Sequence, residues 1–253
     1  MPIISLTTDF GTADWFVGSM KGVILGINPQ AVIVDITHEI APGDVRAGAF
    51  ALAVSYKCFP RLTVHVAVVD PGVGSQRAAL AVRTADYFFV GPDNGLLSFA
   101  LAQEKVLEIL RVENEGLLRR PVSRTFHGRD VFAPIAARLT QQVLMDSLGT
   151  KLQDYVRLER AEPRVVGGVL SGEIIYIDHF GNAITNIGSL AKSVTRVHVA
   201  GKTAPKIVEF YRQGAPSEPI ALIGSSGFLE IAINGGHAAR TLDLQVGDVV
   251  EAG

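Results

Sequence analysis

The first 150 residues alternate short apolar runs with longer segments in which apolar positions recur every three or four residues. This alternation predicts buried strands separated by amphipathic helices. The predicted strands are 3–8, 31–36, 62–69 and a pair within 78–90, and the predicted helices are 13–27, 42–56, 95–103 and one starting at 130. Because strands that alternate with helices favour a doubly wound, mostly parallel sheet, we expect an N-terminal α/β domain.

The pattern changes after residue 156. Residues 157–164 are charged and contain a proline, as is typical of a linker, and short apolar segments with period-two stretches follow. These segments are 165–170, 173–177, 196–199, 207–211, 220–223, 228–233 and 246–251. Short strands at this spacing favour an antiparallel β-barrel or sandwich. The predicted domains are therefore 1–156 (α/β) and 165–253 (β).

Composition and charge narrow the class of protein. Hydrophobic residues make up 48% of the 253 residues, and the net charge is −2 with both signs mixed along the chain. This composition supplies a globular core and offers no basic stripe to a nucleic-acid backbone. No apolar run reaches the roughly 18 residues of a membrane span, and no leader precedes the first strand, so we expect a cytoplasmic protein without membrane or nucleic-acid partners. The single cysteine, Cys58, cannot form a disulfide within the chain and is expected to pack in the core.

Carboxylates follow three of the predicted strands, at Asp9, Asp70 and Asp93. Ligands of open α/β sheets bind beyond the carboxyl ends of the strands, so these acids suggest a shared polar crevice. Asp70 opens a Pro-Gly-x-Gly turn in which backbone can approach a ligand closely, and Arg77 follows. Two alternatives stay open: Asp70 caps a turn beside a solvated Arg77, and Asp9 binds a ribose diol or forms an Asx turn.

His127 lies just before a predicted helix and is followed by a glycine. Near Asp70 and Arg77 it would be a proton acceptor or a positioning group; elsewhere it is a hydrogen-bonded structural residue.

Two turns of the β half join polar residues to an aromatic ring, at 178–182 and 225–230. Phe180 is suited to stack on a base, and Asp178 or the Ser225–Ser226 pair to hold an amino-acid head group. Ordinary hairpin corners are the alternative.

Several common site motifs do not occur in the sequence. It has no GxGxxG after the first strand, no P-loop lysine and no GxSxG elbow, which excludes the usual dinucleotide, P-loop and nucleophile-elbow sites. The six histidines are scattered without HExxH or close Cys/His spacing, so we expect no bound metal.

Seven motifs occur in one order over nearly the whole chain: TTDFG (7–11), PGDV (42–45), VDPGVG (69–74), GPDNG (91–95), FHGRD (126–130), FGN (180–182) and SSG (225–227). Together they resemble the S-adenosylmethionine hydrolase family, also called S-adenosylmethionine hydroxide adenosyltransferases, relatives of the fluorinase and chlorinase. The resemblance implies a homotrimer with active sites between the N-terminal domain of one subunit and the C-terminal domain of its neighbour. It also implies a reaction that yields adenosine and L-methionine, with S-adenosyl-L-methionine as substrate and no cofactor.

Family roles carry over to matching positions. Asp70, Arg77 and His127 match the set associated with activating water, and Asp9 matches the carboxylate that binds the ribose diol. The substrate-binding positions expected from the resemblance, on the adenosine and methionine sides, are Gly128, Asp178, Phe180, Asn182, Ser225, Ser226 and Glu230.

Three departures from the halogenating relatives favour water as the nucleophile. Those relatives have tyrosine in place of Asp70 and a small hydroxyl residue in place of Gly128, and the fluorinase carries a long insertion near 84–87. The predicted reaction is metal-independent, in-line attack of activated water at the ribose C5′, with neutral methionine leaving from the sulfonium. The alternatives are a non-catalytic adenosine or S-adenosylmethionine sensor, and halide-dependent adenosyl transfer.

Overall fold

A computed structural model describes residues 2–188, 194, 196–199 and 206–253. The chain forms two compact units, Met1–Leu158 and Glu159–Gly253, each built on its own β-sheet. The predicted fold class, an α/β domain followed by a β domain, is confirmed. Within the described part of the chain, no helix is long and apolar enough to cross a membrane.

The first unit contains seven strands and four α-helices: β1 (Ile3–Thr8), α1 (Phe16–Ile27), β2 (Val32–Thr37), α2 (Val45–Ser55), β3 (Val64–Val68), β4 (Ala79–Thr84), β5 (Phe88–Pro92), α3 (Ser98–Leu101), β6 (Val106–Val112), α4 (Ala133–Thr140) and β7 (Gly149–Lys151). The strand order is β2-β1-β3-β5-β4-β6-β7. Strands β2, β1, β3 and β5 pair in parallel, whereas β4, β6 and β7 pair antiparallel, so the sheet is mixed. A tight turn at 84–87 joins β4 to β5 and makes them a hairpin.

Apolar side chains of the central strand β3 face both sides of this sheet. Val66 packs with α1 and α4 on one face, and Ala67 packs with α2 and α3 on the other. Both faces are covered by helices, which explains why the consecutive residues Val66, Ala67 and Val68 of β3 are all apolar.

Several element boundaries differ from the predictions. Helix α1 starts three residues late, which leaves Trp15 70% exposed, and the last predicted helix ends at Thr140, which leaves Leu144 77% exposed. Cys58 is exposed in a short 3₁₀ turn after α2 and is not a core residue. Strands β6 and β7 were not predicted.

A histidine lies in the middle of the first unit. His65 and Ser5 are both fully buried, and Ser5 Oγ lies 2.7 Å from His65 Nδ1. Aromatic rings surround the imidazole at centroid distances of 5.3–5.8 Å: Tyr56, Phe59, Tyr87 and Phe89. Burial lowers the pKa of His65 to about 3.

The buried imidazole makes stability fall with acid. The unfolded chain protonates His65 below its ordinary pKa of about 6.5, and the folded chain does so only near 3. Protonation of His65 therefore leaves the free energy of unfolding unchanged above about pH 6.5. Between about pH 6.5 and 3 it lowers that free energy by up to about 1.4 kcal/mol for each pH unit of acidification. We expect His65→Asn to show a shallower decline in unfolding free energy than the wild type between pH 7.5 and 5 in urea titrations. Parallel pH slopes for the two proteins would contradict it.

Among its described residues, the second unit contains eight strands and one short helix: β8 (Arg164–Val166), β9 (Val169–Ile177), β10 (Ala183–Thr185), β11 (Val197–Val199), β12 (Lys206–Ile207), β13 (Pro219–Ile223), β14 (Leu229–Ile233), α5 (Ala238–Leu242) and β15 (Val249–Ala252). The order of these strands is β11-β15-β9-β10-β14-β13-β12, with β8 beside β9; β12 and β13 pair in parallel. Gly167 and Gly168, both at positive φ, form the two-residue turn between β8 and β9. The segment predicted at 165–170 thus contains most of β8, the turn and the first residues of β9. The segment predicted at 173–177 is the rest of β9.

Candidate active site

The first candidate group begins where β3 ends. Asp70 follows the last buried residues of that strand, and its carbonyl oxygen accepts a hydrogen bond from Val73 N–H at 3.2 Å, which closes a tight turn. At Gly74 φ is +78°, and a Cβ there would lie 2.3 Å from the carbonyl oxygen of Arg124, so only glycine fits. The turn brings the Arg77 side chain into contact with the carboxylate of Asp70, the residue at which the turn begins.

Asp70 and Arg77 form an ion pair in which the guanidinium donates to both carboxylate oxygens. Arg77 Nε lies 3.0 Å from each carboxylate oxygen, and Nη2 also donates to Oδ2. The two side chains are only 4% and 10% exposed, and the guanidinium carbon lies 5.3 Å from the centroid of the Phe132 ring. Arg77 is therefore not a solvated edge residue, and its fork fixes the orientation of the Asp70 carboxylate.

His127 joins this pair from a distant part of the chain. It lies just before a π-helical turn, Gly128–Phe132, that leads into α4, and its Nδ1 is 2.7 Å from Arg77 Nη2. A guanidinium can only donate, so Nδ1 accepts and a neutral His127 carries its proton on Nε2. Burial and the neighbouring Arg77 charge lower the pKa of His127, which keeps the ring neutral at pH 7.

Two of these three residues, Asp70 and His127, border a cavity of about 410 Å³. Asp70 and His127 lie on its wall together with Asp9, whose Oδ2 accepts a hydrogen bond of 2.8 Å from the backbone N–H of Gly43. A Cβ on Gly128 would lie 3.2 Å from Met20 Sδ and from the ring of Phe10, so glycine keeps this wall open.

Part of the wall is aromatic. Phe10, Phe16 and Phe126 contact one another with centroids 5.1–5.9 Å apart, in tilted and edge-to-face pairs. The Asp9 carboxylate, the polar side chains of Asp70 and His127 and an apolar wall thus meet in one cavity, as in sites that bind a small organic molecule. Asp93, the third predicted strand-end acid, does not line it; its Oδ1 accepts from Val156 N–H at 2.8 Å. In the part of the chain that is described, no three His, Cys, Asp or Glu side chains are placed to hold a metal ion.

The second candidate group lies in the loop between β9 and β10. Asp178 Oδ1 accepts from Asn182 N–H at 2.8 Å, and its Oδ2 accepts from the Asn182 amide at 2.9 Å. Gly181 has φ +84°, and a Cβ there would lie 2.0 Å from His237 Nδ1. This closed loop leaves the ring of Phe180 71% exposed, as expected of a surface that takes a flat partner.

Phe180 and Asn182 line a second cavity of about 410 Å³, together with Tyr211 and Asn234. Tyr211 OH donates to Glu230 Oε2 at 2.9 Å, burial raises the pKa of Glu230, and burial together with Glu230 raises the pKa of Tyr211 to about 12. Sequence reasoning missed Tyr211 and Asn234. The Asn-Gly-Gly run at 234–236 signals a turn but not what the turn faces, and Tyr211 stands at the end of a predicted strand.

Five predicted site residues line neither cavity: Arg77, Asp178, Ser225, Ser226 and Glu230. Ser225 is exposed and Ser226 is partly buried on the turn between β13 and β14. The Ser226 hydroxyl oxygen is buried and has no hydrogen-bond partner among the residues that the structure describes.

Comparison with known proteins agrees with this two-unit architecture of an α/β unit and a β unit. The SAM hydroxide adenosyltransferase N-terminal domain matches residues 4–149, and the C-terminal domain of the same family matches residues 172–251. The chain belongs to this family. It is 39% identical over 251 residues to a protein of Salinispora tropica named (R)-S-adenosyl-L-methionine hydrolase, covering 98% of this chain and 96% of that one.

Two further relatives bear on fold and chemistry. The chain is 30% identical over 284 residues to the fluorinase of an Actinoplanes species, covering 97% of this chain and 95% of that one. The crystal structure of an uncharacterized conserved protein from Thermotoga maritima matches with a TM-score of 0.92 and 38% identity, covering 99% of each chain.

Proposed function

We propose that this protein cleaves S-adenosyl-L-methionine with water and releases adenosine and L-methionine, as the sequence predicts. The observation that carries the proposal is the contact of Arg77 with both Asp70 and His127, which line one cavity, in a chain similar to a protein named for this hydrolysis. The methionine sulfur is a sulfonium in the substrate and leaves as a neutral thioether, so no general acid is required. The nucleophile must be activated instead, because water is a weak nucleophile and hydroxide is scarce at pH 7.

The three side chains divide that work. Arg77 stays protonated and holds the Asp70 carboxylate in one orientation. His127 Nδ1 accepts a hydrogen bond from Arg77, so the Nε2–H of His127 remains available to orient the water oxygen. Asp70 keeps unused lone pairs on both oxygens and takes the proton as the water attacks C5′. Anion and cation merge in this step, which a dry cavity favours.

The nucleophile is water rather than halide. Gly128 is confined by Met20 and Phe10, which opposes the hydroxyl residue of the halogenating relatives, and a tight turn at 84–87 stands where the fluorinase carries its insertion. We propose that no metal takes part, because the cation bound to Asp70 and His127 is the Arg77 guanidinium, whose positive charge repels a metal ion at the same place.

Substrate binding draws on both units. Asp9 binds the ribose diol; Phe180 stacks on the base with Asn182 beside it; Asp178, Ser225, Ser226 and Glu230 bind the methionine side.

We propose that the chain assembles as a homotrimer in which neighbouring subunits complete each site. Mixing Asp70→Asn and Phe180→Ala proteins under subunit-exchange conditions should then restore part of the activity, and a monomer in sedimentation analysis would contradict the assembly. Action in the cytoplasm stays a prediction.

Product analysis tests the reaction. The purified protein is incubated with the separate (R) and (S) sulfonium epimers, with and without a chelator, and with added chloride or fluoride. We expect adenosine and methionine from the (R) epimer, unchanged by chelator or halide. Tight binding without product would favour the sensor, and a 5′-halogenated nucleoside would favour adenosyl transfer to halide.

The rate should depend on a neutral His127. Its lowered pKa places the acidic limb of the kcat–pH profile below about pH 6.5, with full activity at pH 7. His127→Asn keeps an acceptor for Arg77 but cannot titrate, so we expect a rate lower by about 100-fold or more and loss of the limb that His127 causes. An acidic limb that is identical in wild type and variant would remove His127 from this role.

A further inference from the structure

A chain of polar side chains runs beneath the Asp9 side of the first cavity and is not needed for the reaction described above. Thr8, the last residue of β1, places its Oγ1 2.8 Å from His38 Nδ1, and His38 Nε2 lies 3.1 Å from Asp35 Oδ1 on β2. Asp35 Oδ2 accepts from Lys21 of α1. Thr8 is fully buried and His38 is 4% exposed, whereas Lys21 and Asp35 are 33% and 39% exposed, so these side chains tie the buried end of β1 to β2 and α1 nearer the surface.

The hydrogen-bond partners of Thr8 and His38 indicate which atoms of these side chains carry the protons. Phe10 N–H donates to Thr8 Oγ1 at 3.2 Å, which leaves the Thr8 hydroxyl free to donate to His38 Nδ1. The imidazole proton then sits on Nε2 and faces Asp35, in a contact that is short but bent away from a straight hydrogen bond. Burial raises the pKa of Asp35, but the bonds from Lys21 and His38 outweigh it and hold the pKa below its ordinary value. Asp35 is thus a carboxylate that holds the His38 ring in one orientation.

His38 also holds the neighbouring turn through its backbone. Its carbonyl oxygen accepts from Gly11 N–H at 2.7 Å, and Gly11 has φ +64°. Residues 9 and 10 therefore lie between two anchors, the Thr8 hydroxyl and Gly11 N–H, that both bind His38. These two residues are the ones that put a carboxylate and an aromatic ring into the cavity.

We propose that His38 is a positioning residue, which sets Asp9 and Phe10 for the ribose through its bonds to Thr8 and Gly11. The proposal deepens the proposed function and rests on it for the identity of the ligand. It assigns no contact between His38 and substrate. Its consequence is that removing the imidazole loosens Asp9 while Asp70, Arg77 and His127 stay in place.

The chain offers a matched control for this test. Thr7 precedes Thr8 on the same strand and is equally buried, but its Oγ1 has no hydrogen-bond partner among the described residues. Thr8→Val and Thr7→Val make the same chemical change at adjacent positions, and only Thr8→Val breaks the link to His38. His38→Phe removes both ring nitrogens, and His38→Asn keeps an acceptor near the place of Nδ1.

The readout is ribose recognition, measured by calorimetric binding of adenosine and 2′-deoxyadenosine and by kcat and KM for S-adenosylmethionine. We expect Thr8→Val and His38→Phe to weaken adenosine binding and raise KM by about 10-fold to 100-fold, with kcat changed less than about threefold. Their preference for adenosine over 2′-deoxyadenosine should shrink toward one. Thr7→Val should match the wild type, and His38→Asn should recover part of the loss.

A double variant distinguishes positioning from general damage. If His38 acts through Asp9 and Phe10, then adding His38→Phe to Asp9→Asn should cost less adenosine affinity than His38→Phe costs in the wild type, because the part transmitted through Asp9 is already lost. Additive losses, or an unchanged ribose preference in His38→Phe, would overturn the proposal. A wild type that binds adenosine but releases none from S-adenosylmethionine would instead refute the proposed function, and the binding measurements would still decide the role of His38.

Discussion

Asp70→Asn is expected to lower kcat by at least about 1000-fold while the circular dichroism spectrum and adenosine binding stay those of the wild type. The carboxylate is the group that accepts the proton of the attacking water, and asparagine keeps its shape but not its basicity. One amide oxygen can still accept from Arg77, so the turn from Asp70 to Arg77 should persist. The rate of adenosine release under saturating substrate measures the effect.

Asp93→Asn supplies the control for that experiment. Asp93 also follows a strand of the same sheet, but it binds the backbone N–H of Val156 and does not line the cavity. Its variant should retain kcat within about threefold. Near-normal turnover by Asp70→Asn would remove the carboxylate from the mechanism.

Arg77→Met is expected to cost stability as well as activity. The Asp70 carboxylate is only 4% exposed, and without the guanidinium it becomes a buried charge with no cation to balance it. Breaking such a pair from one side lowers the free energy of unfolding by about 3–5 kcal/mol, which urea titration at pH 7 can measure. Turnover should fall below detection, because the carboxylate loses its orientation and His127 loses the donor to Nδ1.

The double variant Asp70→Leu/Arg77→Met separates the two effects. Apolar groups in place of both partners leave no unpaired charge, so most of the lost stability should return while activity stays absent. If Arg77→Met alone were as stable as the wild type, the pair would have to be well hydrated in solution, and its role as a fixed, dry ion pair would be wrong.

The sequence predicted best what neighbouring residues determine. The apolar run of β3 and its Pro-Gly-x-Gly turn place Asp70 at a strand end, and only seven positions separate it from Arg77. His127 stands 50 residues further along, so its contact with Arg77 depends on how α4 packs on the sheet and was foreseen only as a condition. The π-helical turn that presents His127 has no sequence signal of its own.

The missed elements depend to different degrees on pairing between distant residues. Strand β7, Gly-Thr-Lys, has no strand pattern of its own and pairs with β6, whereas β6 is a mostly apolar segment that pairs with β4. In the second unit Tyr211 reaches the cavity from a 3₁₀ turn and Asn234 from a glycine turn, so both depend on strand pairing elsewhere. Asp93 shows the opposite error, since a strand-end acid can serve the fold by binding backbone.

Hydrolysis in heavy-oxygen water (H₂¹⁸O) tests most directly whether Asp70, Arg77 and His127 aim water at the adenosyl carbon. Wild-type protein is treated with chelator, placed in halide-free buffer and given the (R) epimer, and both products are analysed by mass spectrometry. The account predicts one heavy oxygen at the 5′ hydroxyl of adenosine and none in methionine. Adenosine without the label, or a labelled amino-acid product released beside a thioether nucleoside, would contradict it.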